Sequence, residues 1–202
     1  MEVSGLGYAY SMRVHVESDA LSSFGRAGHH VAMGALLGGN LFARFAMHPA
    51  VREVSDPRER GKLVNAAWQR YGIVNSLSLL TLAAAYAPAR VGEARRDLLT
   101  AREHRIIRGK DIAMASLFAT GLASAIQGIR FARMEPGGAV PLEDGSTPAP
   151  EASEREATTK RALNILGAAN LLSAIGLAAA DASLAQASHR RPPLRRLLKR
   201  RY

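Results

Sequence analysis

Residues 72–87 read GIVNSLSLLTLAAAYA, and residues 167–182 read GAANLLSAIGLAAADA. At an offset of 95 positions the two stretches share nine of their 16 residues, among them a glycine, an asparagine and four alanines. A membrane-spanning helix needs roughly 20 largely apolar residues. Both stretches are long and apolar enough to cross a bilayer, so the repeat indicates two related transmembrane helices.

Four windows of the sequence contain no Asp, Glu, Lys or Arg, although the chain has 27 basic and 17 acidic residues. The windows are 27–43, 71–89, 112–129 and 162–180. A soluble amphipathic helix shows a polar face at every turn, and these windows do not. We therefore predict four transmembrane helices, with Pro49 and Pro88 ending the first two. The alternative is a soluble bundle of four very apolar helices.

The first and third windows also match each other, at an offset of 81 positions. GHHVAMGALLGGNL at residues 28–41 aligns with GKDIAMASLFATGL at residues 109–122. Because both helix pairs match in the same order, we interpret the chain as a duplicated two-helix hairpin. An even number of spans in each unit makes the repeats parallel. The predicted fold is an all-α, polytopic membrane four-helix bundle built from two parallel two-helix repeats.

The net charge of +10 is distributed around the windows rather than within them. The side with both termini and the 90–110 connector carries 16 Lys and Arg residues, and the other side carries 11. The positive-inside rule then predicts a multi-pass protein of the cell membrane with both termini in the cytoplasm. Basic residues are not interleaved with aromatic ones, so we expect no nucleic-acid partner.

The chain divides into four parts by composition. These are an N-terminal segment (1–25), a first two-span repeat with a basic connector (26–110), a second two-span repeat (111–188) and a basic C-terminal tail (189–202). Within the second repeat, residues 134–154 are rich in Pro, Gly and acidic residues, which predicts a flexible external loop. Gly34 and Gly38 form a small-xxx-small face, which would allow a homodimer or another membrane protein to approach closely.

Ionisable groups in or beside a span suggest function, because they are costly there. The repeat predicts that His30, Asp111, Tyr86 and Asp181 lie at one end of the bundle, and these are the candidate catalytic residues. His29 is a candidate ligand-binding residue about 100° away from His30 around the helix, so at most one of the two needs to face the interior. A His beside carboxylates can act as an acid or a base. Alternatively, these groups cap helices and contact interfacial water.

Strongly polar side chains deeper in the windows are the other ligand-binding candidates, namely Asn40, Arg44, Asn75 and Asn170. We predict that Asn75 and Asn170 meet near the pseudo-twofold axis and exchange amide hydrogen bonds, which would make them structural. In the functional alternative they line a polar cavity with Asn40 and Arg44, whose guanidinium could hold an anionic or carbonyl group.

Several kinds of site are excluded by residue type. The chain has no cysteine, hence no disulfide, thiolate metal site or cysteine nucleophile. A bis-histidine haem requires His on two facing helices, and a di-iron bundle requires Glu-x-x-His pairs; the windows contain neither arrangement. We expect no metal and no cofactor.

The run GGNLFARFAMHPAVREV at residues 38–54, followed by a polar helix and a second Ala-rich span, resembles the anthrone oxygenase-like family of small four-helix membrane proteins. In that family the first span is rich in small residues and ends in an aliphatic–Pro–Ala turn, as Met47–Ala50 does here. The resemblance covers residues 28–87. It would imply a cofactor-independent oxygenase acting on an aromatic polyketide, and it assigns no catalytic residue.

Three functions remain open, and whether the protein is an enzyme is undecided at this point. The first is a membrane protein that binds a hydrophobic small molecule or a membrane partner, with the lipid bilayer around it. The second is a membrane-embedded, cofactor-independent oxygenase or oxidoreductase for a hydrophobic aromatic substrate. The third is a transporter subunit, which parallel repeats would suit.

Overall fold

The computed structural model describes residue 25 and residues 27–93 and 100–189 of the chain. All regular elements of these residues are helices, which confirms the predicted all-α class. Helix α1 (residues 27–50) contains a π-helical turn at Ala43–Met47, and a 3₁₀ turn follows it. The remaining long helices are α2 (Pro57–Glu93), α3 (Ala101–Ala132) and α4 (Glu154–His189). The predicted N-terminal segment and C-terminal tail lie outside the described residues, except for Gly25 and His189.

Of the two prolines predicted to end helices, Pro49 lies at a helix end and Pro88 does not. Helix α1 ends at Ala50, one residue past Pro49, whereas α2 continues through Pro88 to Glu93. A proline removes one backbone donor, and the neighbouring turns can adjust around it. At Pro49 that adjustment is the π turn Ala43–Met47, in which the backbone N–H of His48 donates to the carbonyl of Ala43, five residues earlier rather than four.

Side-chain caps determine where α3 and α4 begin. Thr100 accepts from the backbone N–H of Glu103, while the Glu103 carboxylate accepts from the backbone N–H of Thr100. Ser153 and Glu156 repeat this reciprocal arrangement at the start of α4. Such a capping box satisfies backbone donors that the first helical turn cannot pair internally. Both helices therefore start at positions that the local sequence specifies.

The main core lies where all four helices meet. Leu36, Leu82, Leu117 and Leu177 come from α1, α2, α3 and α4 respectively, and each is at most 1% exposed. The sequence repeat pairs Leu36 with Leu117 and Leu82 with Leu177, so equivalent positions are equally buried. Around them pack smaller side chains and two methionines.

The segment between α3 and α4 differs from the predicted flexible loop. Val140 and Leu142 are fully buried, and they pack with Val51, Val64 and Phe131 in a second core at that end of the bundle. The segment is packed because Val140 and Leu142, two apolar side chains in an otherwise polar stretch, bury apolar surface against the helices. A disordered segment has too few such side chains.

Backbone contacts attach this segment closely to the helices. The amide of Leu142 donates to the carbonyl of Pro57 at 3.0 Å, and that of Gly145 donates to the carbonyl of His48 at 3.0 Å. Gly61 allows α2 to approach, since a Cβ there would lie 2.0 Å from the Val140 oxygen. We call residues 134–153 the packed loop below.

Within the described residues, two helices are long and apolar enough to cross a membrane. They are α3 and α4, whose most apolar windows have mean hydropathies of 1.6 and 1.7. The sequence predicts four such helices, two more than these.

Candidate functional site

A cluster of ionisable side chains joins all four helices at the end where α1 and α3 begin and α2 and α4 finish. It consists of His29, Tyr86, Lys110, Asp111 and Asp181, and we call it the mouth cluster. Asp181 is its centre: Oδ2 lies 2.8 Å from His29 Nε2, and Oδ1 lies 3.0 Å from Lys110 Nζ. Tyr86 donates its hydroxyl to Asp111 Oδ1. Lys110 Nζ lies 5.6 Å from the centre of the Tyr86 ring.

The helix positions of these groups follow the sequence repeat. At the offset of 81 that relates α1 to α3, His29 is equivalent to Lys110. The two equivalent residues bind the two oxygens of one carboxylate. At the offset of 95 that relates α2 to α4, Tyr86 is equivalent to Asp181. The contacts of His29 with Asp181 and of Tyr86 with Asp111 thus lie at the end of the bundle where the repeat places these residues.

Two details of the mouth cluster correct the sequence prediction. His30 is exposed, and its ring makes an edge contact with the His29 ring at 5.6 Å between centroids, so His29 replaces it in the cluster. Lys110 belongs to the basic connector at residues 90–110 and is not among the site residues that the sequence predicts. The alignment of His29 with Lys110 was the signal that could have identified it.

The mouth cluster is well shielded from solvent and nearly balanced in charge. The side chains of His29, Lys110 and Asp181 are 13%, 6% and 16% exposed. A carboxylate that binds one ring nitrogen of a His fixes the orientation of the ring, so the other nitrogen can exchange a proton. In the described part of the chain, no group of three His, Cys, Asp or Glu residues could hold a metal ion.

The deeper polar residues do not form the predicted cavity. Asn170 donates to the carbonyl of Leu117 and to the Thr120 hydroxyl, each at 3.0 Å, and not to Asn75. The buried Oδ1 of Asn75 has no hydrogen-bond partner among the described residues. The expected exchange of amide hydrogen bonds is therefore wrong, because Asn170 donates to α3 of its own hairpin instead.

The other two members of the predicted cavity also lie elsewhere. Asn40 donates to the carbonyl of Leu36 in its own helix at 2.9 Å. Arg44 is exposed at the surface of α1. Thus Asn40 has a local structural role, and Arg44 does not face the bundle interior.

A second polar cluster, which the sequence did not predict, lies at the opposite end beneath the packed loop. Asp144 accepts from the backbone N–H groups of Ser146 and Thr147 at 2.6 and 2.7 Å, and from Arg52 at 2.7 Å. Trp68 Nε1 donates to His48 Nε2 at 3.4 Å. We call this group, together with Lys160, the loop cluster.

The loop cluster lies outside the four uncharged windows, and its ionisation is perturbed by burial. Burial, followed by the positive charge of Lys160, lowers the pKa of His48 to about 4, so the ring is neutral at pH 7. Burial alone would raise the pKa of Asp144, but the hydrogen bonds from Ser146, Thr147 and Arg52 hold it at about 2. Burial lowers the pKa of Lys160 to about 8, and Asp144 partly offsets that effect.

Comparison of the chain with family models, with curated proteins and with solved structures finds no match. The resemblance to the anthrone oxygenase-like family stays a prediction.

Proposed function

We propose that this protein is an integral membrane protein with four transmembrane helices, which binds a hydrophobic or amphiphilic ligand or a membrane partner. The observation that carries the proposal is a set of exposed large apolar side chains on all four helices. Val31 of α1, Ile73 of α2, Leu122 of α3 and Ile165 of α4 are 73%, 66%, 65% and 70% exposed. Large exposed apolar patches are rare on monomeric soluble proteins.

The free energy of solvation favours lipid around these helices. Burying a large aliphatic side chain contributes about 1.5–3 kcal/mol, and the bundle itself does not bury these residues. In the most apolar windows of α3 and α4 only 17% is buried within the protein. The core helix of a soluble protein would be mostly buried, so the low burial supports contact with acyl chains.

The duplication is also part of the proposal. The four core leucines occupy equivalent buried positions, and His29 and Lys110 are equivalent donors to Asp181. Both observations support two parallel hairpins related by a pseudo-twofold axis along the membrane normal. The membrane partner in this proposal can be a second copy of the chain, which would pack against Gly34 and Gly38 as the sequence predicts.

Single-cysteine labelling tests the membrane proposal directly, because the native chain has no cysteine. Glu151→Cys lies at an exposed position of the packed loop, and Arg102→Cys lies at an exposed position near the start of α3. With both termini in the cytoplasm, a membrane-impermeant maleimide labels Glu151→Cys in intact cells and labels Arg102→Cys only after permeabilisation. Equal labelling of both variants before permeabilisation, or a protein that stays in the soluble fraction, would refute the proposal.

A second candidate is a membrane enzyme that uses acid–base chemistry at the mouth cluster. The specific observation in its favour is the His29–Asp181 pair, which has the geometry of a base oriented by a carboxylate. The resemblance to the anthrone oxygenase-like family would make the reaction a cofactor-independent oxidation by dioxygen. In that reaction one anthrone and one dioxygen give anthraquinone and water.

The enzyme candidate is tested with anthrone itself as the probe. The rate of anthraquinone formation in air is measured with the detergent-solubilised protein and with two variants, His29→Gln and the exposed neighbour His30→Gln. The candidate predicts a loss of the rate in His29→Gln and an unchanged rate in His30→Gln. A native rate no higher than that of His29→Gln would eliminate it.

A further inference from the structure

A polar cleft of about 750 Å³ lies at the packed-loop end of the bundle. The last turn of α3 and the first turns of α4 form its walls, with Arg130 and Arg133 on one side and Ser153, Arg155 and Glu156 on the other. It is separate from the mouth cluster, which lies at the opposite end of the same helices.

The depth of the cleft matches the level of lipid head groups. On α3 the exposed apolar side chains end at Ile129, between Gln127 and Arg130 of the cleft lining, and on α4 they start at Ile165, beyond the last lining residue Thr159. In the proposed four-span orientation, on which this inference rests, the cleft opens at the outer boundary of the hydrocarbon layer. Polar head groups occupy that level of a bilayer.

The charges on the cleft favour an anion. Arg130, Arg133 and Arg155 are exposed, and among residues 27–93 and 100–189 no carboxylate forms an ion pair with them. The acidic Glu135 is already held by Arg58 at 3.2 Å. Guanidinium groups bind phosphate oxygens through paired N–H donors.

A buried hydrogen-bond acceptor in the wall of the cleft requires the ligand to carry a hydrogen-bond donor as well. Glu156 is only 6% exposed. Its Oε2 accepts from the amide and the hydroxyl of Ser153, each at 2.7 Å, whereas the buried Oε1 has no hydrogen-bond partner in the described structure. A buried carboxylate oxygen without a donor is disfavoured, so a ligand with an N–H or O–H group would complete the site.

We infer that the cleft binds a phosphate group linked to an ammonium or hydroxyl donor, with the phosphate at Arg130, Arg133 and Arg155 and the donor at Glu156 Oε1. A phospholipid head group such as phosphoethanolamine has this chemistry, and so does the free water-soluble phosphoester. Phosphocholine does not, because its nitrogen has no N–H.

Binding measurements on the detergent-solubilised full chain separate these ligands. The probes are short-chain phosphatidylethanolamine, short-chain phosphatidylcholine and free phosphoethanolamine, each titrated while the fluorescence of the single tryptophan is followed, with equilibrium dialysis as a label-independent check. Phosphatidylethanolamine should bind about tenfold more tightly than phosphatidylcholine, since one hydrogen bond to a charged group is worth about that factor. Binding of phosphoethanolamine alone at similar affinity would assign the site to the water-soluble ligand.

Variants connect the binding to the cleft. Glu156→Gln should remove most of the preference for phosphatidylethanolamine, and the combined Arg130→Gln, Arg133→Gln and Arg155→Gln variant should weaken both lipids about tenfold or more. Arg70→Gln, an exposed arginine outside the cleft, is the matched control and should bind as the native protein does. Equal binding of the two lipids by the native protein, or unchanged binding by the triple variant, would overturn the inference.

The failure of this inference is distinguishable from failure of the membrane proposal. A protein that inserts into membranes but shows no head-group preference refutes the cleft alone. A protein that is soluble without detergent yet binds phosphoethanolamine through these residues refutes the membrane proposal and supports the cleft.

Discussion

Replacing Lys160 with methionine should stabilise the protein, because this lysine carries a charge in an environment that disfavours it. Lys160 is 4% exposed, and burial lowers its pKa from the ordinary 10.5 to about 8. A shift of that size corresponds to about 3 kcal/mol lost from the free energy of unfolding at pH 7, where both states are protonated. Its ammonium also lies 5.6 Å from the centre of the Phe131 ring, a contact worth about 1–2 kcal/mol. The net gain expected for Lys160→Met is therefore about 1–2 kcal/mol.

The penalty from Lys160 depends on pH, because it is present only while the ammonium is charged. Between pH 8 and pH 10.5 the unfolded state binds more protons at Lys160 than the folded state does. The free energy of unfolding of the native protein therefore rises with pH across this window, and the rise contributed by Lys160 is absent from Lys160→Met. The advantage of the variant should shrink as the pH approaches 10.5.

The assay is unfolding by sodium dodecyl sulfate in mixed micelles, followed by the fluorescence of Trp68. This residue is the only tryptophan of the chain, and it packs against the core beneath the packed loop. Lys62→Met is the matched control, since Lys62 is an exposed lysine at the same end and pairs only with Glu59 in the described structure; it should change stability by less than about 0.5 kcal/mol. A less stable Lys160→Met, with the same pH dependence as the native protein, would refute the reasoning.

Three further predictions concern the same end of the bundle. Leu142→Ala should lower the free energy of unfolding by about 2–5 kcal/mol, and Leu63→Ala, at an exposed apolar position, by much less; equal losses in the same unfolding assay would contradict a packed loop. Gly61→Ala should be destabilising, because the added Cβ would lie 2.0 Å from the Val140 oxygen, and limited proteolysis should then cut the loop faster than in the native protein. His48 should make the protein less stable as the pH falls from 6.5 to about 4, since the unfolded state takes up the proton first; a native protein and a His48→Gln variant with the same acid profile would disprove this.

The mouth cluster shows how far the repeat could predict a site. The offsets of 81 and 95 positions between the helix pairs implied that His29 or His30, Tyr86, Asp111 and Asp181 share one level of the bundle, and the structure brings His29 to Asp181 and Tyr86 to Asp111. The repeat could not decide which histidine faces inward, because both lie within one turn and the choice depends on how α1 rotates against α4.

The loop cluster shows where sequence reasoning failed. Asp144 and Lys160 lie 16 positions apart in a region that composition assigned to a flexible loop and a helix start. Their proximity depends on the packing of Val140 and Leu142 against α2. The composition of this region is mostly polar, so it did not indicate that these two apolar side chains would be buried. The sequence also could not predict that Glu156 Oε1 is buried without a hydrogen-bond partner in the described structure, because the burial of a single atom depends on the surrounding helices.

The sequence by itself determined the helical class, the helix starts at the two capping boxes and the level of the mouth cluster, because apolar windows, capping boxes and repeat offsets can be read from the chain without its tertiary packing. It also determined that the polar residues concentrate at the ends of the bundle. Only the tertiary structure decided which of these groups meet. The rotation of α1 places His29, and not His30, against Asp181, and the packed loop places Asp144 against Arg52. These contacts depend on the relative placement of whole elements, and residues distant in sequence then share one buried environment.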